Sequence, residues 1–527
     1  MYLKQSVIIE PMFNRWYAWH YLISPATAAM YITHHINLMQ SFVDAPRAHE
    51  EAFADSSFRS SPFINHIQQG SDRVREVADL LEKTRREQRD MIELAAAIKE
   101  LDRLLGDEAK GHSLEPLYPK VPDILKGYVE LVYDLNNQPS IRLIEGLLFK
   151  SQYYKPASQG IALYMRSADD RPFRLNSPRL EEPRTLLVDA PYRHEAIDHL
   201  SRMRHGSGSP AAARDALGIR PSDEELFQSF FTEEQPPESI RYGGDGVRVR
   251  YFGHACVLVE TKDVSVLFDP LVSYNHGGGI PRYTYADLPE RIDYVVITHG
   301  HQDHCLVECL IQLRHKVENV VVPKNSGGRL EDPSLKLSLQ QLGLRRVIEI
   351  DEMESIALEG GSLMGLPFLG EHGDLGVRSK SAFLLTLQGK SILCAADSNN
   401  IEPRLYERVH DVIGDIDVLF LGMECQGSPL SWIFAPLFTR PIRADMDQSR
   451  RFDGSNCEKG MGIVGRLRPR RAYVYAMGEE PWVSFINSIR YTEHSRPIIE
   501  SNAFVKRCRE QGLAAERLFG QTEILLS

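Results

Sequence analysis

The seven cysteines of this chain, Cys256, Cys305, Cys309, Cys394, Cys425, Cys457 and Cys508, include no CxxC pair and follow no framework spacing. That pattern gives no grounds for a disulfide scaffold. The thiols read as buried groups in a reducing cytoplasm. Long apolar runs are missing too. No stretch is long enough to cross a bilayer, so no membrane partner is expected. Residues 1–13 carry one lysine and a short run, Val7-Ile8-Ile9, followed by Pro11. They do not read as a signal peptide. Positive charge is in deficit: 61 Lys and Arg stand against 72 Asp and Glu, a formal net charge of -11. General nucleic-acid binding needs a basic surface, so no nucleic-acid partner is expected. There is no internal repeat and no flavin or iron–sulfur motif. Gly277-Gly278-Gly279 lacks the strand-turn-helix setting of a nucleotide loop.

What is present is a globular composition, 43% hydrophobic and 25% charged, over 527 residues. That length exceeds one core, so two domains are expected, residues 1–238 and 246–527. The linker between them is 232–238, which contains Pro236 and Pro237. The first 70 residues read as helical and irregular, with a dense aromatic entry of Phe13, Trp16, Tyr17, Trp19 and Tyr21. A helix is expected over 28–43. It carries His34 and His35, which as helical neighbours point in different directions and do not suit a shared ligand role. Residues 72–105 give the strongest helical periodicity, with Val74, Val77, Leu81, Met91, Ala95, Ile98, Leu101 and Leu105 on one face. The polar stretch 82–90 suggests an exposed bend there, and Gly106 a C-cap. Strands are expected over 128–133, 141–149, 161–165 and 185–188. No catalytic constellation precedes the linker, and the first domain reads as structural or as an oligomerisation domain.

After the linker, strands alternate with helices. Strands are expected over 247–252, 257–260, 264–268, 292–298, 317–322, 391–396 and 418–423. Several end in ionisable residues: Asp269, Asp397 and Glu424. Strand C-terminal ends are where α/β sheets place ligands. The densest chemistry is Thr298-His299-Gly300-His301-Gln302-Asp303-His304, with three imidazoles and a carboxylate in six residues, followed by a helix over 306–313. Such a cluster calls for a metal, and more readily for two, because His, Asp and Glu suit first-row transition ions.

These residues resemble a known superfamily. His299-x-His301-x-Asp303-His304, preceded by Gly253-His254-Ala255 and Asp269-Pro270 and followed by Asp397, is similar to the metallo-β-lactamase superfamily from about residue 246 onward. The resemblance implies an α/β fold, a four-layer αββα sandwich, with a separate mixed α+β N-terminal domain. It implies that His299 and His301 bind one ion, Asp303 and His304 a second, and that Asp397 bridges them. Hydrolases of the superfamily usually supply a third His. Here the matching segment is Phe368-Leu369-Gly370-Glu371-His372-Gly373-Asp374, and either Glu371 or His372 fits. With His372 the set is that of a zinc hydrolase. With Glu371 it is two His and a carboxylate, the set of oxygen-activating non-haem iron.

A narrower resemblance points to Glu371. Gly370-Glu371-His372, Met423-Glu424-Cys425, and Tyr475-Ala476-Met477-Gly478 followed by Glu480-Pro481-Trp482 are similar to the diiron β-hydroxylases of chloramphenicol biosynthesis. That family implies a non-haem diiron monooxygenase using O2, with Glu371 and Asp397 in catalytic positions. The replacement of the expected His by Glu371 suggests that this carboxylate could shift its binding mode and open a position for O2. It implies an aminoacyl substrate held as a thioester on the peptidyl carrier domain of a nonribosomal peptide synthetase, an external electron donor, and a homodimer. The alternative is a dinuclear zinc hydrolase of a thioester, lactone or phosphoester, working through a bridging water with its pKa lowered to about 7. His494, Glu479 and Glu480 are further candidate ligands, and Glu424 a further neighbour of the metals. Asp269 and His254 suit orienting roles. The basic run Arg466, Arg468, Arg470 and Arg471, with Arg450 and Arg451, could dock an acidic carrier or be a solvated surface.

Overall fold

A computed structural model describes residues 1–54, 63–66, 72–237, 241–277 and 279–527. The end of the expected linker and the middle of the Gly277–Gly279 run lie outside these residues.

The second half is built on two seven-stranded sheets packed face to face. The first runs Val347–Ile350, Val317–Pro323, Ile292–Val296, Ser265–Phe268, Cys256–Glu260, Val247–Gly253 and Thr522–Leu526. The second runs Ser355–Leu358, Gly361–Leu366, Ala382–Leu387, Lys390–Cys394, Val418–Gly422, Arg471–Tyr475 and Ala514–Arg517. Alternation along the strands divides the cores. Val266, Phe268 and Val296 meet Phe383, Ile392 and Phe420 between the sheets. Leu267 and Val295 face the other way, into a core shared with the first half of the chain. The outer face of the second sheet packs on helices Cys457–Leu467 and Arg496–Glu510. This is the αββα sandwich expected from the sequence.

In each sheet the middle strands run parallel. Ser265–Phe268, Ile292–Val296 and Val317–Pro323 do so in the first. Lys390–Cys394, Val418–Gly422 and Arg471–Tyr475 do so in the second. Ser381 N–H donates to Thr298 O at 2.9 Å, which ties the sheets together at the edge where Asp269, His299 and Asp397 emerge.

The first half holds a four-stranded antiparallel sheet, Trp16–Tyr17, Val7–Phe13, Gln159–Met165 and Thr185–Val188. The helical reading of residues 1–70 is therefore corrected at Val7–Phe13. Every residue of that strand is buried, so no alternation marks it, and Pro11 argued against a strand. Helix Pro25–Asp44 matches expectation. The long helical pattern splits into Asp72–Glu87 and Arg89–Glu108 at Gln88. Glu82, Lys83, Arg85, Arg86, Glu87 and Arg89 are exposed as expected, but the bend is pinned by two buried groups: Thr84 receives Asn14 Nδ2 at 3.1 Å and Gln88 donates to Ser158 Oγ at 2.7 Å. Gly106 lies inside the second helix, where Arg440 packs against it, and is not a C-cap. Strand Pro139–Leu143 ends early, and Glu145–Leu148 is helical instead. Glu145 there accepts from Ser334 N–H and Asn325 Nδ2 of the second half.

A buried ion network joins the halves. Arg171 makes paired bonds to Glu308 at 2.9 and 2.8 Å and a third to Glu10 at 3.0 Å. Arg179 lies 2.9 Å from Glu10, and Tyr164, Tyr17 and Tyr274 donate to the two carboxylates. Burial opposes ionisation of Glu10, but Arg179, Arg174 and Arg171 around it bring it down to about 2. Glu308 stands on helix Val307–Leu313, which begins just past His304.

Removing one partner of a buried pair leaves an uncompensated charge, so Glu308→Ala is expected to destabilise by about 3–5 kcal/mol in denaturant melts. Glu10 is ordinarily near 4.5 and is lowered to about 2 in the fold. Its contribution is therefore complete above 4.5 and lost as pH falls from there toward 2. Glu10→Gln is expected to remove that part of the acid sensitivity, read as unfolding midpoint against pH.

Candidate metal centre

The cluster forms where the parallel strands of both sheets end. Turning sharply off a strand strains the backbone there. Among the described residues, His254, Asp269, Glu371 and Ala396 all adopt positive φ without being glycine. Such conformations cost about 1–3 kcal/mol each and persist where the surroundings fix them.

His299, His301 and Glu371 bring ligand atoms within 4.8 Å of one another, as do His299, His304 and Asp397, and His254, Asp303 and His304. Glu371 Oε1 lies 2.7 Å from His301 Nδ1, and Oε2 lies 3.7 Å from His299 Nε2. Asp397 Oδ2 lies 3.0 Å from His304 Nε2 and 3.8 Å from His299 Nε2. The six residues picked out by motif thus converge. Several of their polar atoms are buried without a hydrogen-bond partner: Nε2 of His299, His301 and His304, Glu371 Oε2 and Asp397 Oδ1. Buried polar atoms are rarely left so. Converging nitrogen and carboxylate oxygens with open lone pairs fit divalent first-row metals, iron among them.

The surroundings set each imidazole. Asp269, fully buried, accepts from Thr298 N–H at 2.7 Å and Thr298 Oγ1 at 2.6 Å, and its Oδ2 lies 2.8 Å from His304 Nδ1. That contact places the proton of His304 on Nδ1 and turns Nε2 toward Asp397. Gly478 N–H donates to His254 Nδ1 at 3.1 Å. The ring proton of His254 is therefore on Nε2, which faces Asp303 Oδ2 at 3.3 Å. Although His254 clusters with Asp303 and His304, this tautomer suits holding Asp303 and not binding an ion.

Electrostatic effects follow the crowding. Burial opposes the charge on Glu371, but the His301 and His372 imidazoles bring it down to about 2. Burial raises Asp397, with only partial relief from His304. Burial also raises Glu424, and Asp397, Asp303 and Glu371 add to the effect.

Residues 367–375 form no strand, so alternation does not decide between Glu371 and His372. Both are buried. Glu371 projects between His299 and His301. His372 stacks on His301 with centroids 4.5 Å apart, lies 2.9 Å from Glu371 Oε2, and belongs to no three-group cluster among the described residues. Gly370 allows the turn: its φ is +78°, and a Cβ there would meet Asn399 at 2.6 Å. Three other candidates lie elsewhere. His494 is exposed in a turn. Glu480 accepts from Tyr251 Oη at 2.6 Å, and Glu479 pairs with Arg517 at 3.3 Å. Glu424 lines the small chamber, of about 50 Å³, beside Asp303, Glu371 and Asp397.

The chamber shares Gln302, Glu424, Trp432, Ile433 and Asn487 with a cavity of about 760 Å³. Its far wall comes from the first half: Trp16, Trp19, Leu22, Tyr31, His34 and Leu38. The aromatic entry and the His34-His35 pair, which the sequence does not mark as a binding wall, both contribute to it. His35 does pack, stacked on Trp16 at 3.8 Å, while also lining the cavity. The available signal was an aromatic density greater than a small sheet needs.

Comparison with known proteins agrees with this site. Residues 2–236 match the diiron non-heme beta-hydroxylase N-terminal domain, and residues 265–436 the beta-lactamase superfamily domain. The 4-amino-L-phenylalanyl-[CmlP-peptidyl-carrier-protein] 3-hydroxylase of Streptomyces venezuelae is 37% identical over 533 residues, covering 98% of both chains. The chain belongs to the diiron β-hydroxylase family. The crystal structure of CmlA, a diiron β-hydroxylase from the same organism, superposes with a TM-score of 0.93 at 35% identity, covering 100% of this chain and 99% of that one. A point mutant of CmlA superposes at 0.89. The enzyme class that the sequence motifs implied, a diiron oxygenase of metallo-β-lactamase fold, is that of the family.

Asp269→Asn keeps an acceptor for Thr298 but loses the charge that holds the His304 proton. It is expected to lower metal affinity about 10–100-fold with the fold intact, measured by metal titration alongside circular dichroism.

Proposed function

We propose that the protein β-hydroxylates an aminoacyl group tethered as a thioester to a nonribosomal peptide synthetase carrier domain, in antibiotic biosynthesis. The observation that carries this reading is Glu371 projecting between His299 and His301, in a chain similar over nearly its whole length to a carrier-bound aminoacyl 3-hydroxylase. His299, His301 and Glu371 would hold one iron, Asp303 and His304 the second, with Asp397 between them. When bound, the two irons supply the reduction of O2 and the oxidising power that replaces a C–H by a C–OH.

The protein's own groups prepare that chemistry. Asp269 keeps the His304 proton on Nδ1, so Nε2 stays available. His254 holds Asp303 through its Nε2 proton. Trp432, Ile433 and Phe452 line the chamber and restrict water near Glu371 and Asp397. Glu371 is buried and anionic, and its flanking glycines Gly370 and Gly373 suit a change in its binding mode.

The two domains are read as 1–238 and 246–527, with a role in homodimer formation for the first. An external electron donor is required by the chemistry, since two electrons must enter for each O2 that yields one hydroxyl group and water. A cytoplasmic location is consistent with free, buried cysteines and with described helices too short or too polar to cross a membrane. The basic run is a poor carrier dock: Arg466, Arg468 and Arg470 face Glu407, Asp415 and Asp417 at 2.6, 2.7 and 3.5 Å.

Purified protein is expected to hold two irons and to take up O2 only with a carrier-bound aminoacyl substrate, measured by metal analysis and an oxygen electrode. Two zincs with oxygen-independent thioester cleavage would defeat the reading. Glu371→His is expected to lose hydroxylation, and full retention would remove Glu371 from its role.

A further inference from the structure

We propose that Arg451 and Arg490, on the wall of the large cavity, bind the phosphodiester of the carrier's phosphopantetheine arm. The inference rests on the carrier-bound substrate proposed above and adds where the anionic end of that arm is held. The arm has two chemically distinct parts. A thiol-terminated chain of amides and methylenes, uncharged, carries the aminoacyl group. A phosphodiester, anionic at every physiological pH, joins the chain to the carrier serine.

The cavity has matching parts. Its inner end adjoins the chamber at Asp303, Glu371 and Asp397, and the two share Gln302, Glu424, Trp432 and Asn487. Its sides combine aromatic rings, Trp16, Trp19 and Trp432, with uncharged polar groups such as Gln302, Gln426 and Asn487. Rings and amides suit a chain of methylenes and amides, and the Glu424 carboxylate at the inner end disfavours an anion there. Arg451 and Arg490 bring cationic charge to the same cavity. Arg490 is exposed and has no carboxylate within 4.0 Å among the described residues. Arg451 is 30% exposed in its side chain. It donates to Gln448 Oε1 at 3.1 Å and meets its nearest carboxylate, Asp453, only at 4.0 Å. Both guanidinium groups therefore keep donors free for a phosphate, which arginine recognises by paired hydrogen bonds.

The segment carrying Arg451 is also tied to the metal centre. Arg450 Nε donates to Gly373 O at 2.7 Å, two residues from Glu371. Leu430 N–H donates to Arg450 O at 2.8 Å, and Phe452 N–H to Ser428 O at 3.0 Å. An anion held at Arg451 is thus attached to the backbone that lines the chamber.

The test uses the full-length, iron-loaded protein and two probes that carry no amino acid, 4′-phosphopantetheine and pantetheine, compared by isothermal titration calorimetry. The wild type is expected to bind phosphopantetheine about tenfold or more tightly than pantetheine, a difference of about 1.4 kcal/mol. Arg451→Glu/Arg490→Glu is expected to abolish that preference while leaving the weaker pantetheine affinity in place, which also reports that the cavity is folded. Arg451→Gln/Arg490→Gln should reduce the preference in the same direction, and Arg470→Glu should leave it unchanged. Equal binding of the two probes by the wild type, or a preference that survives charge reversal, overturns the proposal. Neither probe can be hydroxylated as an aminoacyl group. Failure here therefore leaves the oxygenase reading standing on its iron and oxygen measurements, and failure of those leaves the phosphate preference intact.

Discussion

Three carboxylates and three imidazoles share one buried volume, and the organisation of the second half follows from keeping them there. Asp303, Glu371 and Asp397 repel one another as anions, and low polarity around them strengthens the repulsion. Burial pushes Asp397 up while imidazoles pull Glu371 down. Several of their buried polar atoms have no hydrogen-bond partner. Divalent cations at the centre would resolve the conflict, because each would convert neighbouring repulsions into shared attractions. The site is thus held open by the framework and closed by what it binds.

Holding it open requires rigidity from both sheets. The parallel strands point their C-terminal ends at one edge, and bonds such as Ser381 to Thr298 keep that edge from parting. The left-handed backbones of Asp269, Glu371 and Ala396 show where strain is concentrated. Fixed donors are what a metal site needs, since small displacements of a ligand change its affinity and reactivity.

Much of this was legible in the sequence because it is local. His299 to His304 lie within one strand end, and Asp269, Asp397 and Glu424 each terminate an apolar run whose length and β-branched content mark a buried strand. Glu371 was legible only through resemblance. Its loop has no periodicity, and the choice between Glu371 and His372 depends on a turn that Gly370 permits. The first half was harder to read. Val7–Phe13 is buried on both faces and so shows no alternation, and Gly106 was mistaken for a cap because its real neighbour, Arg440, is distant in sequence. The cavity wall at Trp16, Trp19 and His34 is a property of how the two halves meet, which no short window of sequence encodes.

The network of Glu10, Arg171 and Glu308 has a further meaning for how such a protein could diversify. Glu308 stands four residues beyond His304, at the start of the helix Val307–Leu313, so the salt link that seats the first half also braces the helix following the histidine-rich turn. The two halves look like exchangeable modules, one supplying a wall and the other the metals. Yet a foreign first half without an arginine opposite Glu308 would bury a lone anion next to the ligand loop. Recombination between relatives is therefore constrained at this charge network and at pairs such as Arg314–Asp198 and Arg282–Asp169, and new substrate preferences are more readily reached by changing residues of the aromatic wall than by exchanging the whole module.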